Sequence, residues 1–134
     1  MGSTFKPITM AIGLDKNIVD LDMLFDVSQP INLGKYTIND FKPYMGKLDI
    51  KGIIVKSSNI GTAKIAKKIG KKNQKEYFKK LGFFEKIDLE LLETQKPLPP
   101  NHWKSIETMT IGYGHGFAVT PLHLCKAYAS LVNG

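Results

Sequence analysis

No stretch of this chain alternates apolar and polar residues for long enough to supply the strands of a large sheet, whereas several stretches carry apolar residues at helical spacing. Ile60, Ala63, Ala66 and Ile69 recur every third residue and predict a helix closed by Gly70. Ile8, Ala11, Ile12 and Leu14 give an apolar side to a first helix that leaves through a turn at Asp15 to Asn17. Asp49 is placed to cap another through Ile50, Ile53, Ile54 and Val55, and Tyr77, Phe78 and Leu81 mark one more from about Asn73, ended by Gly82. A last helix over 120–132 has Thr120 as cap and Pro121 at its first position, with Leu122, Cys125, Tyr128, Ala129 and Val132 expected inward. The strand signal is confined to Ile31–Leu33 and Tyr36–Ile38, which flank Gly34-Lys35 as a hairpin with a type II′ turn. Such a pair cannot stand alone and must lie against helices. The expectation is a mainly α fold of one domain.

Other segments are less regular. Leu21 to Val27 follows neither period and reads as an extended or single-turn segment crossing the core, and Asn39 to Gly46 reads as a loop around Pro43. Phe83 to Pro100 shows no clear long element, with Pro97 to Pro100 a stiff connector. Thr108 to Ile111 fits an extended or a short helical run, and Trp103 is read as a packing residue. With 134 residues, 43% of them hydrophobic and 23% charged, there is material for one modest core. No apolar run approaches a membrane span, and the beginning has no signal-peptide pattern.

The net charge is +7 and all 19 basic residues are lysine. Readers of nucleic-acid sequence depend on arginine forks for guanine and phosphate, so the absence of arginine argues against a nucleic-acid partner. Eleven lysines between Lys47 and Lys80 face two acids, Asp49 and Glu76, and read as a solvated helical face in preference to an anionic-polymer surface. The single cysteine, Cys125, cannot form an internal disulfide and is expected as a small core residue. His102, His115 and His123 lack partners at ligand spacing, so neither a metal nor another cofactor is expected.

Three short stretches carry chemistry. Ser3 and Lys6 stand three residues apart, which on a helical turn puts a hydroxyl and an amine on one face. A neutral lysine can take the proton of a serine, and the first turn's unpaired N–H groups favour the resulting anion. Pro7 cannot donate to the Ser3 carbonyl, so that turn must be distorted or the carbonyl must find another donor. Ser57 and Asn59 are two apart and share a direction only on an extended or turning backbone, which suits a junction between two helices where Ser58 caps the second. Gly112, Gly114 and Gly116 form a glycine loop with neither the preceding strand nor the lysine of a nucleotide site, and are read as structural.

In that order the three stretches resemble the transpeptidase domain of the high-molecular-weight penicillin-binding proteins, the cell-division type in particular. The resemblance runs over nearly the whole chain. It implies that Ser3 is the acylated serine, that Lys6 activates it, that Ser57 passes the proton to the leaving group, and that Asn59 binds the amide backbone of the substrate. It further implies peptidoglycan stem peptides ending in D-Ala-D-Ala and β-lactams as ligands, other cell-division proteins as partners of the parent protein, and an inner-membrane anchor with this domain in the periplasm.

The family's third motif, a Lys-Thr-Gly triplet on a strand edging the cleft, does not occur in these residues. The chain is therefore expected to be an internal piece of the domain over 1–134, its helical part with a small hairpin and the central sheet largely absent. Without the oxyanion donor on that strand, roughly 3–4 kcal/mol of transition-state stabilisation is expected to be missing, leaving the isolated chain nearly inactive. A catalytically silent interaction fragment and, less favoured, a lysine-rich module for anionic polymers are the alternatives, the latter marked by steep salt dependence. Far-UV circular dichroism of the chain should be dominated by helix; a spectrum dominated by strand would overturn the assignment.

Overall fold

The structure, a computed structural model, describes residues 2–87 and 96–134. Residues 88–95, part of the stretch read as lacking a long element, lie outside the described residues. The chain enters through a 3-10 turn, Gly2–Phe5, that runs directly into helix α1, Lys6–Asp15. Pro7 accounts for the change of winding. It has no N–H to reach back four residues to Ser3, and the tighter three-residue spacing of a 3-10 turn does not ask for one.

Four short strands follow, β1 (Phe25–Asp26), β2 (Ile31–Leu33), β3 (Tyr36–Ile38) and β4 (Lys47–Leu48). Strands β2 and β3 pair antiparallel with Leu33 opposite Tyr36, and Gly34 takes the positive φ of 62° that a two-residue turn needs, as the sequence led one to expect. The pairing of β1 with β4, Phe25 opposite Leu48, has no counterpart in the sequence reading, because two-residue strands leave no periodicity to detect. Of the segment expected to cross the core, only Phe25 and Val27 are buried, while Leu21 and Leu24 are 63% and 60% exposed.

Helix α2 (Ile50–Lys56) is capped by Asp49, which accepts from the Gly52 N–H at 2.7 Å, and α3 (Asn59–Lys80) by Ser58, which accepts from Gly61 at 2.9 Å. The two helices expected on either side of Gly70 are both present, meeting at a kink where Gly70 takes φ 76° and ψ 160°, and are labelled together as α3. Helix α4 (Ser105–Gly112) resolves the ambiguous run in favour of helix, and α5 (Pro121–Asn133) begins after its Thr120 cap. Among the described residues the fold is mainly helical with two small two-stranded ladders and no larger sheet.

Helix α3 forms the centre, with both α1 and α4 packed against it. Its far end joins an aromatic cluster. Phe78 meets Phe5 edge-on at 5.5 Å, Phe83 edge-on at 5.3 Å and Phe117 face-on at 5.5 Å. Trp103 is buried beside them, its indole N–H donating to Gln74, which in turn donates to the Thr108 carbonyl. Each such ring pair contributes on the order of 0.5–1.5 kcal/mol beyond its buried area. Outward, Lys67, Lys68, Lys71, Lys72, Lys75, Lys79 and Lys80 of α3 are exposed, the solvated face anticipated from the charge pattern. None of the described helices is long and apolar enough to cross a membrane.

Helix α5 corrects the sequence reading. Its inward positions are His123 and Ala127, with Leu124, Tyr128 and Leu131 partly buried, while Leu122, Cys125, Ala129 and Val132 face outward. The reason is polar. Thr120 holds His123 Nδ1 at 2.6 Å and the Glu85 carbonyl accepts from Nε2 at 2.7 Å, so an imidazole that hydropathy ranks as surface sets the buried stripe. Cys125 is therefore not a core residue.

Where α4 crosses α3, Gly112 leaves no room for a side chain: an added Cβ would lie 2.5 Å from the Ala66 Cβ. Gly112→Ala should lower unfolding stability by about 1–3 kcal/mol. Adding Ala66→Gly should restore part of it in denaturant titrations, and a strictly additive double variant would contradict the contact.

Candidate functional site

The 3-10 turn decides how Ser3 and Lys6 meet. At three residues per turn, side chains three apart eclipse one another, and the Lys6 Nζ lies 3.2 Å from the Ser3 Oγ. Phe5 between them points into the aromatic cluster, and the Tyr128 hydroxyl of α5 donates to the Thr4 carbonyl at 2.6 Å, so both faces of the turn are held. The glycine loop supports it from the side. Gly2 N–H donates to the Gly114 carbonyl at 3.3 Å, and Gly114, at φ 93°, has no space for a Cβ because one would overlap the backbone of Gly2. Gly112 accepts from the Thr9 hydroxyl of α1 at 2.7 Å and belongs to α4, so the loop proper covers 113–116.

Ser57 arrives from the end of α2. It takes a left-handed conformation, φ 52° and ψ 46°, at the C-cap, a place where glycine is usual and serine is strained by roughly 1–2 kcal/mol. That turn aims two oxygens at the lysine: Nζ is 2.6 Å from the Ser57 carbonyl oxygen and 2.8 Å from its Oγ. The two hydroxyls are 2.9 Å apart. Asn59, the first residue of α3, donates from Nδ2 to the Asn39 carbonyl at 3.0 Å and opens on the same cleft. All four residues singled out by sequence are thus brought together at the junction that was expected.

Lys6 is only 2% exposed. Burial pushes its amine pKa below the ordinary value of about 10.4, opposed by the carboxylate of Asp40. As an ammonium it has three N–H groups for three oxygens. As a neutral amine it can donate to the Ser57 carbonyl and Ser57 Oγ while taking the Ser3 proton on its lone pair, and Ser57 can donate to Ser3. The three side chains then form a ring in which each gives one hydrogen bond and takes one, so neutral Lys6 remains fully bonded. A base that is satisfied in both protonation states can accept and release a proton without rearranging its surroundings.

The cleft has a volume of about 630 Å³, with Ser3, Lys6, Ser57 and Asn59 joined by Phe41 and Tyr44 from the loop between β3 and β4. Phe41 is 93% exposed, and Lys56 sits over the Tyr44 ring at 4.6 Å. The sequence reading missed three participants: Asp40, Thr9 and this loop wall. A single acid amid turn residues and one threonine on a helix face carry no local signal.

The sequence matches, over residues 1–134, the family described as penicillin binding protein transpeptidase domain. It is 38% identical over its whole length to the probable peptidoglycan D,D-transpeptidase FtsI of Caulobacter vibrioides, of which it spans 23%. Over 98% of the chain it is 31% identical to the probable peptidoglycan D,D-transpeptidase PenA of Neisseria gonorrhoeae, again 23% of that protein. A crystal structure of a peptidoglycan glycosyltransferase from Burkholderia ambifaria superposes with a TM-score of 0.88 at 30% identity, covering 96% of this chain and 42% of that one. The chain thus spans about a quarter of the length of the curated relatives it matches.

The left-handed Ser57 generates a test. Ser57→Gly and Ser57→Ala both remove the hydroxyl, but only glycine relaxes the backbone. The glycine variant should be the more stable by about 1 kcal/mol in chemical unfolding, and equal stabilities would show that the strain is absent.

Proposed function

Since the chain belongs to the penicillin-binding protein transpeptidase family, we propose that it carries the nucleophile end of a D,D-transpeptidase that cross-links peptidoglycan by acyl transfer through Ser3. The observation that carries this reading is the buried Lys6 amine within hydrogen-bond reach of both Ser3 Oγ and Ser57 Oγ. Neutral Lys6 takes the Ser3 proton as Oγ attacks the carbonyl of the penultimate D-Ala of a stem peptide. The new C–O bond forms, the C–N bond to the terminal D-Ala breaks, and the proton travels by Lys6 and Ser57 to the leaving amine. An amine of a second peptide then attacks the ester; a C–N bond replaces the C–O bond and the proton returns to Ser3. Asn59 holds the amide backbone of the donor strand, and the glycine loop supports the nucleophile turn. A β-lactam, whose ring amide mimics the donor, acylates the same oxygen.

In this reading the 134 residues act within a longer protein, in keeping with the quarter of its relatives' length that they span. No Lys-Thr-Gly triplet lies within them, so the second oxyanion donor and the remaining cleft wall come from other parts of that protein. The work is done outside the cytoplasmic membrane, where stem peptides are found, by a protein anchored in the inner membrane.

Intact-mass spectrometry of the full-length protein after exposure to a labelled penicillin should show one adduct, absent in Ser3→Ala. Lys6→Arg should slow its formation by about 10²–10⁴-fold, because a guanidinium does not deprotonate. The base acts when neutral, so the wild-type rate should rise with pH and level off once pH passes the lowered pKa of Lys6, below about 10.4. Labelling that survives Ser3→Ala would refute the nucleophile assignment.

A further inference from the structure

We infer that Asp40 is a positioning residue for the acyl transfer proposed above, a remote cap that fastens the 39–46 loop to the first turn of α3 and so fixes Ser57 and Asn59 around Lys6. Its Oδ1 accepts from the Ile60 N–H at 2.9 Å and its Oδ2 from the Ser58 hydroxyl at 2.7 Å. Ser58 is itself 1% exposed and caps Gly61, so two of the otherwise unpaired N–H groups at the head of α3 are satisfied by a relay that ends on Asp40. The neighbouring Asn39 carbonyl accepts from Asn59. Three hydrogen bonds thus join residues 39–40 to residues 58–60.

Everything between those two points, β4, α2 and Ser57 included, forms a loop closed at its base by these bonds. The cleft lies along that closure. Phe41 and Tyr44 leave it on one side, and Ser57 and Asn59 on the other. Letting go of Asp40 frees both lips at once, and a displacement of about 1 Å between reacting groups is enough to cost on the order of a hundredfold in rate.

The cap is an acidic side chain although a neutral acceptor could make the same bonds. A carboxylate at the head of a helix is favoured by the dipole. Its charge is also felt at the Lys6 amine, whose own hydrogen-bond partners are Ser3 on the entering turn and Ser57 at the end of α2. Lys42 and Lys56, the other charged groups of the cleft, are exposed. Asp40 opposes the effect of burial on Lys6 and so moves upward the pH at which the base becomes available.

Two substitutions separate the roles. Asp40→Asn keeps an acceptor for Ile60 and a partner for Ser58 but removes the charge; Asp40→Ala removes both. In the full-length protein, the rate of penicillin acylation at Ser3 should fall by about ten- to a hundredfold in Asp40→Ala. In Asp40→Asn the plateau rate should stay within about threefold of wild type, while the rise with pH moves to lower pH, since the negative field that held the proton is gone. An Ala variant that keeps its rate, or an Asn variant that loses as much as Ala, overturns the inference. A wild-type protein that is never labelled sinks the transpeptidase reading instead. The inference is then judged on the cap itself, by hydrogen exchange at the Ile60 and Gly61 amides in wild type and Asp40→Ala, where unchanged protection overturns it.

Discussion

A lysine residue that is 2% exposed is expensive to bury, and the geometry around residue 6 answers that cost. Ser57 contributes a carbonyl and a hydroxyl, Ser3 a second hydroxyl, and Asp40 a compensating charge beyond them. The partners come from segments up to 51 residues apart in sequence, so a single buried nitrogen ties the entering turn to the junction of α2 and α3. Ser57 accepts a strained backbone at that junction, and the strain places its carbonyl where the amine needs an acceptor.

Core and cleft are joined at adjacent residues. Phe5 lies against Phe78 and Phe83 in the aromatic cluster, while Lys6, next in the chain, lines the cleft. Helix α3 works in the same way along its length. Its first turn is capped by Ser58 and Asp40 and sends Asn59 to the Asn39 carbonyl, and its far end carries Phe78 into the cluster that holds the entering turn. The side chains of the candidate site therefore sit on helix ends and a short turn, positions with exposed backbone donors, yet each is braced by buried neighbours.

How legible this was depended on distance along the chain. The helices other than α4, the hairpin and the Asp49, Ser58 and Thr120 caps could be read because their signals lie within a few residues of one another. The inward face of α5 was misread because His123 is buried by two specific hydrogen bonds, which hydropathy does not register. Strands β1 and β4 are two residues each and pair Phe25 with Leu48 and Asp26 with Lys47, far apart in the chain, so nothing local announces them. Within the site, Ser3, Lys6, Ser57 and Asn59 stood out through spacing and resemblance, and the change of winding before Pro7 followed from a missing N–H. Asp40 escaped because a helix cap contributed from about 20 residues upstream looks, in sequence, like any acid in a loop.

The contact between Gly114 and Gly2 has a consequence for how such a site can change over time. It is made by backbone against backbone, with no side chain on the Gly114 side and a φ of 93° that other residues resist. Ordinary point substitutions adjust an active site by trimming or enlarging side chains, and here there is nothing to trim. Variation that alters the pitch of the entering turn has to come through the aromatic cluster or the Tyr128 tether, at residues that do not line the cleft. Sequence drift that retunes reactivity in this chain should accumulate behind the site, out of sight of the cleft.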